Sequence, residues 1–420
     1  MIYAHINSSK HLFLIEYAYM EKYVDHQTPD VIIVGGGFAG IATARKIALA
    51  NKKINISLIS DKSYFEYYPA LYRVVTGAAP IEVCVPLSDM LPKNVDIVVD
   101  RIARVVPTEK TLYGESGTSY SADFIVLGLG SQTTYFNLPG LPDLSFGFKS
   151  VGEAMRLKNH IESLFLEHQH PSVSELVSHF HIVVVGGGPS GVEVAGDLTT
   201  HLRKLATKYK VDPSFITIDI IERNPRVLPS VDPKASARAL ARLRKLGVNV
   251  FLNRTLLSEE IESVYLKDMS LKSKTVIWTA GTQVSNVYNT IPNIKMTERK
   301  RVQVNDYLEM DGFESVYVVG DGAGTKYSGL AQTAIKDGTF VAMDIIRRIK
   351  KMKREKYIPV PVEYVIPIGD NWALMSLGPF RFYGLFAYWA RHMVDFIYFA
   401  GILSPRKLFS LFFEGWKYRS

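Results

Sequence analysis

Two stretches of the chain repeat the same order of positions: a short apolar run, a glycine-rich turn and a longer stretch with helix-like spacing. The two copies, each given as run, turn and helical stretch, are Asp30–Val34, Gly35–Gly40 and Ile41–Ala50, then His181–Val185, Gly186–Gly191 and Val192 to about Tyr209. Short β-branched runs are typical of parallel strands that are covered on both faces. Each copy therefore predicts a strand–turn–helix unit.

A second apolar run follows each unit, at Ile54–Ile59 and at Ile216–Ile221. Strand, crossover helix and parallel strand form a right-handed βαβ unit. We therefore predict an α/β fold with two Rossmann-like, doubly wound domains. The glycine-rich strand ends Leu127–Ser131 and Trp278–Gly281 mark the crossings between them, so the second domain is predicted to interrupt the first. The predicted limits are 1–29 for an N-terminal extension, 30–141 and 282–345 for the first domain, 142–281 for the inserted domain and 346–420 for a C-terminal region.

Both glycine turns have the spacing G-x-G-x-x-G between a strand and a helix, the context in which this motif binds a dinucleotide. The first glycine allows the tight turn, the second lets a pyrophosphate approach the backbone, and the third allows close helix–strand packing. The unpaired N–H groups of the helix then face the phosphates. The alternative is a pair of turns without ligand. The predicted contact residues are Gly35, Gly37, Phe38, Ala39 and Gly40 in the first turn and Gly186, Gly188, Pro189, Ser190 and Gly191 in the second.

An acidic residue at the end of the second strand is expected to hold the adenosine ribose hydroxyls. Glu222 has this place in the second unit, and its charge would repel a 2′-phosphate, which favours NADH over NADPH. Arg223 and Arg226 lie close by and weaken that preference. In the first unit the matching position is Ser60, followed by Asp61, so either a hydroxyl or the neighbouring carboxylate would take this role.

A third signal is the apolar run Ser315–Val319 that ends in Gly320 and Asp321. A strand that returns to the first domain and ends in Gly-Asp would place a carboxylate near the pyrophosphate and ribityl hydroxyls of a flavin. Taken alone, Gly-Asp is an ordinary turn. Two dinucleotide motifs upstream make the flavin interpretation the stronger one, so the first domain is predicted to hold FAD and the second NADH.

The composition is that of a folded protein, with 47% hydrophobic and 21% charged residues in a chain of 420. The net charge of +8 admits nucleic acid, an anionic membrane surface or no charged partner at all. We expect that the protein does not bind nucleic acid, because the sequence has no zinc-finger spacing or run of base-stacking aromatics. Cys84 is the only cysteine, which excludes disulfide frameworks and dithiol catalysis. The histidines form no ligand motif, so no metal site is predicted.

Five segments together resemble the two-dinucleotide flavoproteins, and specifically the type II NADH dehydrogenases, also called alternative NADH:quinone oxidoreductases. The resemblance runs from Asp30 to Trp416. The segments that carry it are Gly35–Gly40, Tyr67–Gly77, Gly186–Glu193, Trp278–Gly281 and Ala331–Ala334. Sulfide:quinone oxidoreductases and disulfide reductases share this architecture but use redox-active cysteines, and a single cysteine argues against both.

The resemblance implies that NADH reduces FAD by hydride transfer and that FAD then reduces a quinone with two electrons, without proton pumping. It implies catalytic roles for Glu193, close to the nicotinamide–flavin stack, and for Gln332, in the quinone pocket. Lys336 stands where the family has a second glutamine; a lysine could donate to a quinone carbonyl but cannot accept a hydrogen bond. The remaining contact residues implied are Gly130, Asp321, Ala331 and Gln332 for FAD, and Glu193, Glu222 and Gly281 for NADH.

Two other functions are compatible with these motifs. One is an NAD(P)H reductase for a soluble acceptor, similar to the apoptosis-inducing-factor or ferroptosis-suppressor flavoproteins. The other is a flavin-based redox sensor or scaffold whose redox state controls a partner. Reoxidation of the reduced flavin by a quinone or by a soluble dye would separate the three.

The C-terminal region is rich in aromatic and basic residues. A helical arrangement from Arg406 to Lys417 separates an apolar face, which includes Trp416, from a polar one, and the stretch Phe382–Leu403 is apolar apart from a stripe of Arg391, His392 and Asp395. Such helices lie in membrane interfaces; a dimer contact or ordinary core packing is the alternative. No apolar run is long enough to span a bilayer. We therefore expect a peripheral, monotopic protein on the cytoplasmic face of the cell membrane, and a homodimer.

Overall fold

The first parallel sheet has the strand before the first glycine turn at its centre. The structure, a computed structural model, describes residues 30–167, 173–361 and 363–414. In this sheet all neighbouring strands are parallel. Its strands, in order across the sheet, are Val316–Val318, Phe124–Leu127, Val31–Val34, Ile56–Ser60 and Val95–Val99. Because the sheet also contains the strand Val316–Val318, the chain returns to this sheet after the inserted stretch. We call the part of the molecule built on this sheet the first half and the inserted part the second half.

The second parallel sheet repeats this arrangement around the strand before the second glycine turn. Its strands, in order, are Phe146–Gly147, Thr275–Trp278, His181–Val185, Thr217–Glu222 and Val248–Leu252. All neighbours in it are parallel as well. The predicted α/β class with two Rossmann-like sheets is thereby confirmed. Ser131–Thr133 pairs antiparallel with Thr282–Val284, so the two crossings run side by side.

Each sheet is covered differently on its two faces, because successive residues of a strand point to opposite sides. In the first sheet Val31 and Ile33 pack toward the long helices, whereas Ile32 and Val34 pack toward a three-stranded antiparallel sheet. In the second sheet Val183 likewise faces an antiparallel sheet. The three-stranded sheets are Ile102–Val106 with Thr111–Gly114 and Ser119–Ser121, Leu256–Glu260 with Ser263–Leu266 and Ser270–Lys272, and Tyr364–Pro367 with Ala373–Leu377 and Phe380–Gly384.

Both helices that follow a glycine turn begin earlier than the sequence pattern predicts. Their first residues are Phe38 and Pro189, each preceded by an extended glycine at the N-cap. The end of each turn already has helical backbone, and proline is favoured at the first helical position because it has no N–H to leave unpaired. The helices are Phe38–Ala50, Leu71–Val75, Leu87–Met90, Leu141–Leu144, Val151–Glu167, Val173–His179, Pro189–Tyr209, Pro233–Lys245, Ala331–Ile349, Leu385–Ala400 and Pro405–Phe409.

The C-terminal region differs from the expected pair of helices. The predicted start at Phe382 lies in the strand Phe380–Gly384, and the helix runs from Leu385 to Ala400. A short helix and one π-helical turn, Ser410–Glu414, follow. The expected positions Trp416 and Lys417, like the N-terminal extension 1–29, lie outside the described residues. Within the described ranges, none of the helices combines the length and apolar character needed to cross a bilayer.

The two longest helices of the first half cross where Gly338 meets the first turn of Phe38–Ala50. A Cβ at Gly338 would lie 2.2 Å from the carbonyl oxygen of Ala39. We expect Gly338→Ala to lower the free energy of unfolding by about 1–3 kcal/mol, because the backbone must move to admit a methyl group. Gly152→Ala is the matched control: its nearest neighbour would be 3.9 Å away, so stability should rise by about 0.5–1 kcal/mol. Thermal unfolding followed by circular dichroism measures both, and equal midpoints for the two variants would contradict this packing.

Candidate functional site

The two glycine turns have nearly the same geometry. Gly35 and Gly186 have φ values of 103° and 110°, a region that non-glycine residues rarely adopt. A Cβ at Gly40 would lie 1.9 Å from the carbonyl oxygen of Gly35, and a Cβ at Gly191 would lie 1.9 Å from that of Gly186. The third glycine of each turn is therefore required for the helix to start directly against the strand end.

The space beyond each turn fits a dinucleotide pyrophosphate. A Cβ at Gly37 or at Gly188 would meet no atom within 4 Å. These middle glycines are the N-cap residues of the two helices, and no side chain caps either helix. The first-turn N–H groups are thus free to face an anion. The turns are accordingly suited to hold FAD and NADH, with Phe38 and Ala39 buried, Pro189 half-buried and Ser190 exposed.

Glu222 lies at the end of its strand and is bound to the second glycine turn. Its carboxylate accepts hydrogen bonds from the backbone N–H of Gly187 at 2.6 Å and from that of Asn224 at 2.7 Å. The side chain is only 5% exposed. The oxygen that accepts from the Asn224 backbone also accepts from the side-chain amide of Asn224 at 2.5 Å. The oxygen that accepts from Gly187 keeps a second lone pair, so the group fixes the turn and can still accept from a ribose hydroxyl.

In the first half Ser60, not Asp61, takes the equivalent place. A Cβ at Gly36 would lie 2.8 Å from the Ser60 hydroxyl oxygen, as one at Gly187 would lie 3.0 Å from the Glu222 carboxylate. Asp61 instead forms an exposed ion pair with Arg101 at 3.4 Å. Ser60 thus lies against the first turn as Glu222 lies against the second, whereas the Asp61 carboxylate is paired with Arg101.

Asp321 joins the two halves of the chain. Its carboxylate accepts from the Ser131 hydroxyl at 2.5 Å and pairs with the Lys149 ammonium at 3.4 Å. Burial works against ionisation, but the charge of Lys149 and the hydrogen bond from Ser131 outweigh it and hold the pKa of Asp321 below its usual value. Lys149 was not predicted, because nothing in the local sequence pattern places it across from a Gly-Asp turn 172 residues away.

The helix Ala331–Ile349 begins ten residues after Asp321 and packs against the Gly-Asp turn: a Cβ at Gly320 would lie 3.4 Å from the Cβ of Ala334. Gln332 and Lys336 are exposed on one face of it, one helical turn apart. The hydroxyl of Thr333 and one guanidinium nitrogen of Arg301 are buried without a hydrogen-bond partner among the described residues. Unpaired buried donors are costly, so both fit a ligand rich in acceptor atoms, such as the flavin ring. Sequence reasoning missed both residues.

Two further predicted contact residues lie at the crossings between the halves. Gly130 has a φ of 65° and open space where a Cβ would stand. Gly281 accepts a hydrogen bond from the backbone N–H of Thr134, and a Cβ there would lie 2.6 Å from the ring of Phe136. Gly130 is therefore open to a ligand. Gly281 is instead required because a side chain there would collide with the segment that contains Thr134 and Phe136.

Glu193 lies in the second turn of the helix Pro189–Tyr209 and faces the first half of the molecule. Although the side chain keeps some exposed surface, the surrounding protein desolvates it and raises its pKa to about 8. Asp197, one turn later, has a pKa raised to about 6 for the same reason. Glu193 therefore holds its proton near neutral pH, as a group that delivers protons should.

A buried charge cluster lies beside Glu193. Arg391 and Asp395 of the C-terminal helix are 4% and 1% exposed, and Asp395 also pairs with Arg73 at 2.9 Å. Arg73 belongs to the segment Tyr67–Gly77 that carried the resemblance. The spacing of Arg391 and Asp395, four residues apart, is the signal that predicts an ion pair on one helix face, but not which way that face points.

The single cysteine and the possible metal-ligating side chains were also located in the structure. Cys84 is half-buried, and desolvation raises its pKa to about 11, so it is not a reactive thiolate. In the part of the chain that the structure describes, no three histidine, cysteine or acidic side chains come together as metal ligands.

The chain matches known proteins over most of its length. The family model described as pyridine nucleotide-disulphide oxidoreductase matches residues 29–338. The type II NADH:quinone oxidoreductase Ndh of Mycobacterium tuberculosis is 28% identical over 380 residues, which cover 85% of this chain and 81% of that protein. The type II NADH:quinone oxidoreductase of Staphylococcus aureus is 26% identical over 363 residues, covering 83% and 87%. The resemblance drawn from the five sequence segments is thereby confirmed.

A solved structure shares the fold across nearly the whole chain. The structure of NDH2 from Plasmodium falciparum in complex with NADH superimposes with a TM-score of 0.83. The match covers 94% of this chain and 99% of that one at 17% identity. Because the sequence identity is so low, this match shows that the fold is shared and nothing more.

The charge of Glu222 should set the choice between the two nicotinamide cofactors. We expect Glu222→Gln to lower the discrimination against NADP⁺ about tenfold or more, because the 2′-phosphate no longer meets a buried carboxylate. Titration of the protein with NAD⁺ and with NADP⁺, followed by calorimetry, measures the ratio of the two dissociation constants. Glu260→Gln, an exposed carboxylate in the same half, is the control. An unchanged ratio in Glu222→Gln would remove the charge from cofactor selection.

Proposed function

Because the chain belongs to the pyridine nucleotide-disulphide oxidoreductase family, we infer that it is an FAD-dependent NADH:quinone oxidoreductase of type II, which pumps no protons. The observation that carries this function is the pair of glycine turns, each open at its middle glycine and each at the end of a central parallel strand. The domain limits drawn from the sequence are part of the proposal. The relatives from Mycobacterium tuberculosis and Staphylococcus aureus are named for this reaction.

The protein residues position the two nucleotides and control protons. Bound FAD supplies the chemistry that accepts hydride from NADH and gives up two electrons. The first turn, with Ser60 and Asp321, holds FAD, and the second turn, with Glu222, holds NADH. The contact between Lys149 and Asp321 at 3.4 Å ties the two halves together near the flavin end.

The acceptor side is assigned to Gln332 and Lys336. Both are exposed on the same face of a helix whose first turn is open to a ligand. A glutamine side chain can donate and accept, and a lysine can only donate. Together they suit the carbonyl oxygens of a quinone, and Lys336 adds positive charge where negative charge develops on reduction.

Glu193 is assigned to deliver protons during quinone reduction. Its raised pKa of about 8 keeps it protonated at neutral pH. Since the protonated form is the active one, turnover should fall as the pH rises through the pKa.

Glu193→Gln tests this role. We expect turnover with quinone at pH 7 to fall about 100-fold, the usual contribution of a general acid, and the alkaline decline of the pH profile to disappear. Flavin reduction by NADH, measured by anaerobic stopped flow, should be nearly unchanged, because hydride transfer needs no proton. Equal turnover in the variant and the native protein would exclude Glu193 from the mechanism.

The same stopped-flow measurement on the native protein separates the alternative functions. Rapid flavin reduction by NADH with reoxidation only by a soluble dye would support the soluble-acceptor reductase. Slow reoxidation by both the quinone and the dye would support the redox sensor.

The C-terminal helix is proposed to bind the cytoplasmic face of the membrane. Its apolar face is turned to solvent while Arg391 and Asp395 of its charged stripe are buried, the reverse of an ordinary surface helix. This apolar face consists of Leu385, Phe386, Trp389, Met393, Phe396 and Ile397, which are 43–64% exposed. Several of the basic residues between Arg347 and Lys356 are ion-paired within the protein, so apolar burial is the main attraction.

Acidic substitutions on the apolar face should abolish membrane binding. We expect the double variant Trp389→Glu with Ile397→Glu to bind vesicles of mixed phosphatidylcholine and phosphatidylglycerol at least tenfold more weakly, since each buried side chain contributes roughly 1.5–3 kcal/mol. Ile261→Glu is the control, because Ile261 is 80% exposed in the other half. Flotation measures binding. Unchanged flotation with loss of a dimer in analytical ultracentrifugation would assign this face to the homodimer contact instead.

A further inference from the structure

The charged stripe of the C-terminal helix reaches into the first half of the molecule. One guanidinium nitrogen of Arg391 pairs with the carboxylate of Asp395, and another donates to the carbonyl oxygen of Pro69 at 2.8 Å. Pro69 belongs to the segment Tyr67–Gly77. The helix is therefore fixed to this segment by charged groups as well as by apolar packing.

Asp395 is shared by groups from two parts of the chain. Besides Arg391 it pairs with Arg73 at 2.9 Å and accepts a hydrogen bond from the hydroxyl of Tyr67. With 1% of its surface exposed, it has almost no contact with solvent. Attraction to Arg391 and Arg73 overcomes the cost of burial and holds the pKa of Asp395 below its usual value. Asp395 is thus shared by two guanidinium groups, and the cavity that it lines with Arg73 is also lined by Glu82 and His392.

Glu193 lies in the field of this cluster. From the C-terminal helix it faces Arg391, which favours its ionised form, and Asp395, which opposes ionisation. From the segment Tyr67–Gly77 it faces Arg73, which favours ionisation, and the neutral phenol of Tyr72. On its own helix it faces Asp197, which opposes ionisation. Burial is the main reason why the pKa of Glu193 is raised, and the two arginines lower that pKa to the extent that Asp395 does not cancel their charge.

We propose that Asp395 is a positioning residue for the reaction: it holds Arg391 and Arg73 in place, cancels their charge, and so keeps the proton on Glu193 until the acceptor takes it. The inference rests on the proposed acid role of Glu193. Without the Asp395 charge, the two guanidinium groups lose a buried counter-charge. Arg73 attracts the ionised forms of both Glu193 and Asp197 on the second half of the molecule, and Arg391 that of Glu193. Glu193 would then ionise and lose its proton to solvent before quinone reduction.

Two substitutions should move the pH profile in opposite directions. Asp395→Asn removes the negative charge at constant shape, so the alkaline decline of turnover with quinone should move to lower pH by about one unit. Above the new midpoint, turnover should be about tenfold lower than in the native protein. Arg391→Gln removes a cation, so the decline should move to higher pH. A purely structural role would not give shifts of opposite sign.

A spectroscopic measurement checks the same point without turnover. The infrared carbonyl band of the protonated Glu193 carboxyl, identified by its loss in Glu193→Gln, should disappear at lower pH in Asp395→Asn. Flavin absorbance and circular dichroism show whether each variant is folded and loaded. If Arg391→Gln does not fold, the pH midpoint measured in Asp395→Asn alone tests the proposal.

The chain offers a closely matched control in Asp344. This carboxylate is fully buried, accepts from the hydroxyl of Tyr317 at 2.8 Å and pairs with Arg354 at 2.6 Å, but it belongs to the helix Ala331–Ile349 and not to the cluster around Asp395. Asp344→Asn should leave the midpoint unchanged. A midpoint in Asp395→Asn equal to that of the native protein, or an equal shift in Asp344→Asn, would overturn the proposal. Persistence of the decline in Glu193→Gln would refute the acid role of Glu193 itself.

Discussion

The close contact between strand end and helix start within each glycine turn is the constraint on which the rest of the structure depends. The separations of 1.9 Å that a Cβ would have to the preceding carbonyl leave no room for any other residue at Gly40 or Gly191. This contact lets a helix begin directly against a buried strand, so that its unpaired N–H groups point into open space. Two such turns in one chain define where both nucleotides can lie.

The C-terminal region connects the two halves that the turns organise. Its small sheet contacts the second half, where Arg242 donates to the carbonyl oxygen of Gly369 at 2.8 Å and Arg381 pairs with Asp232 at 2.9 Å. Its helix contacts the first half through Arg391 and Pro69. The C-terminal region is thus bonded to both nucleotide-binding halves, and its helix interacts with Glu193 through Arg391.

Much of the fold and part of the site could be predicted from the sequence because they depend on local chemistry. The run His181–Val185 forms the strand that its β-branched residues predict, and both G-x-G-x-x-G turns form as their spacing requires. Glu222 lies at the predicted strand end because position along a strand is fixed by counting residues. Both helices that follow a glycine turn begin three residues earlier than the sequence pattern predicts, because the end of each turn already has helical backbone.

What the sequence by itself determined is therefore the number, kind and order of the nucleotide-binding units. Only the tertiary structure decided which distant groups meet: Lys149 with Asp321, Ser60 rather than Asp61 at the first turn, and Asp395 between two arginines. It also decided that the charged stripe of the C-terminal helix points inward. The physical reason is that turn and strand formation depend on neighbouring residues, whereas charge interactions and desolvation depend on distances between segments that are remote in the sequence.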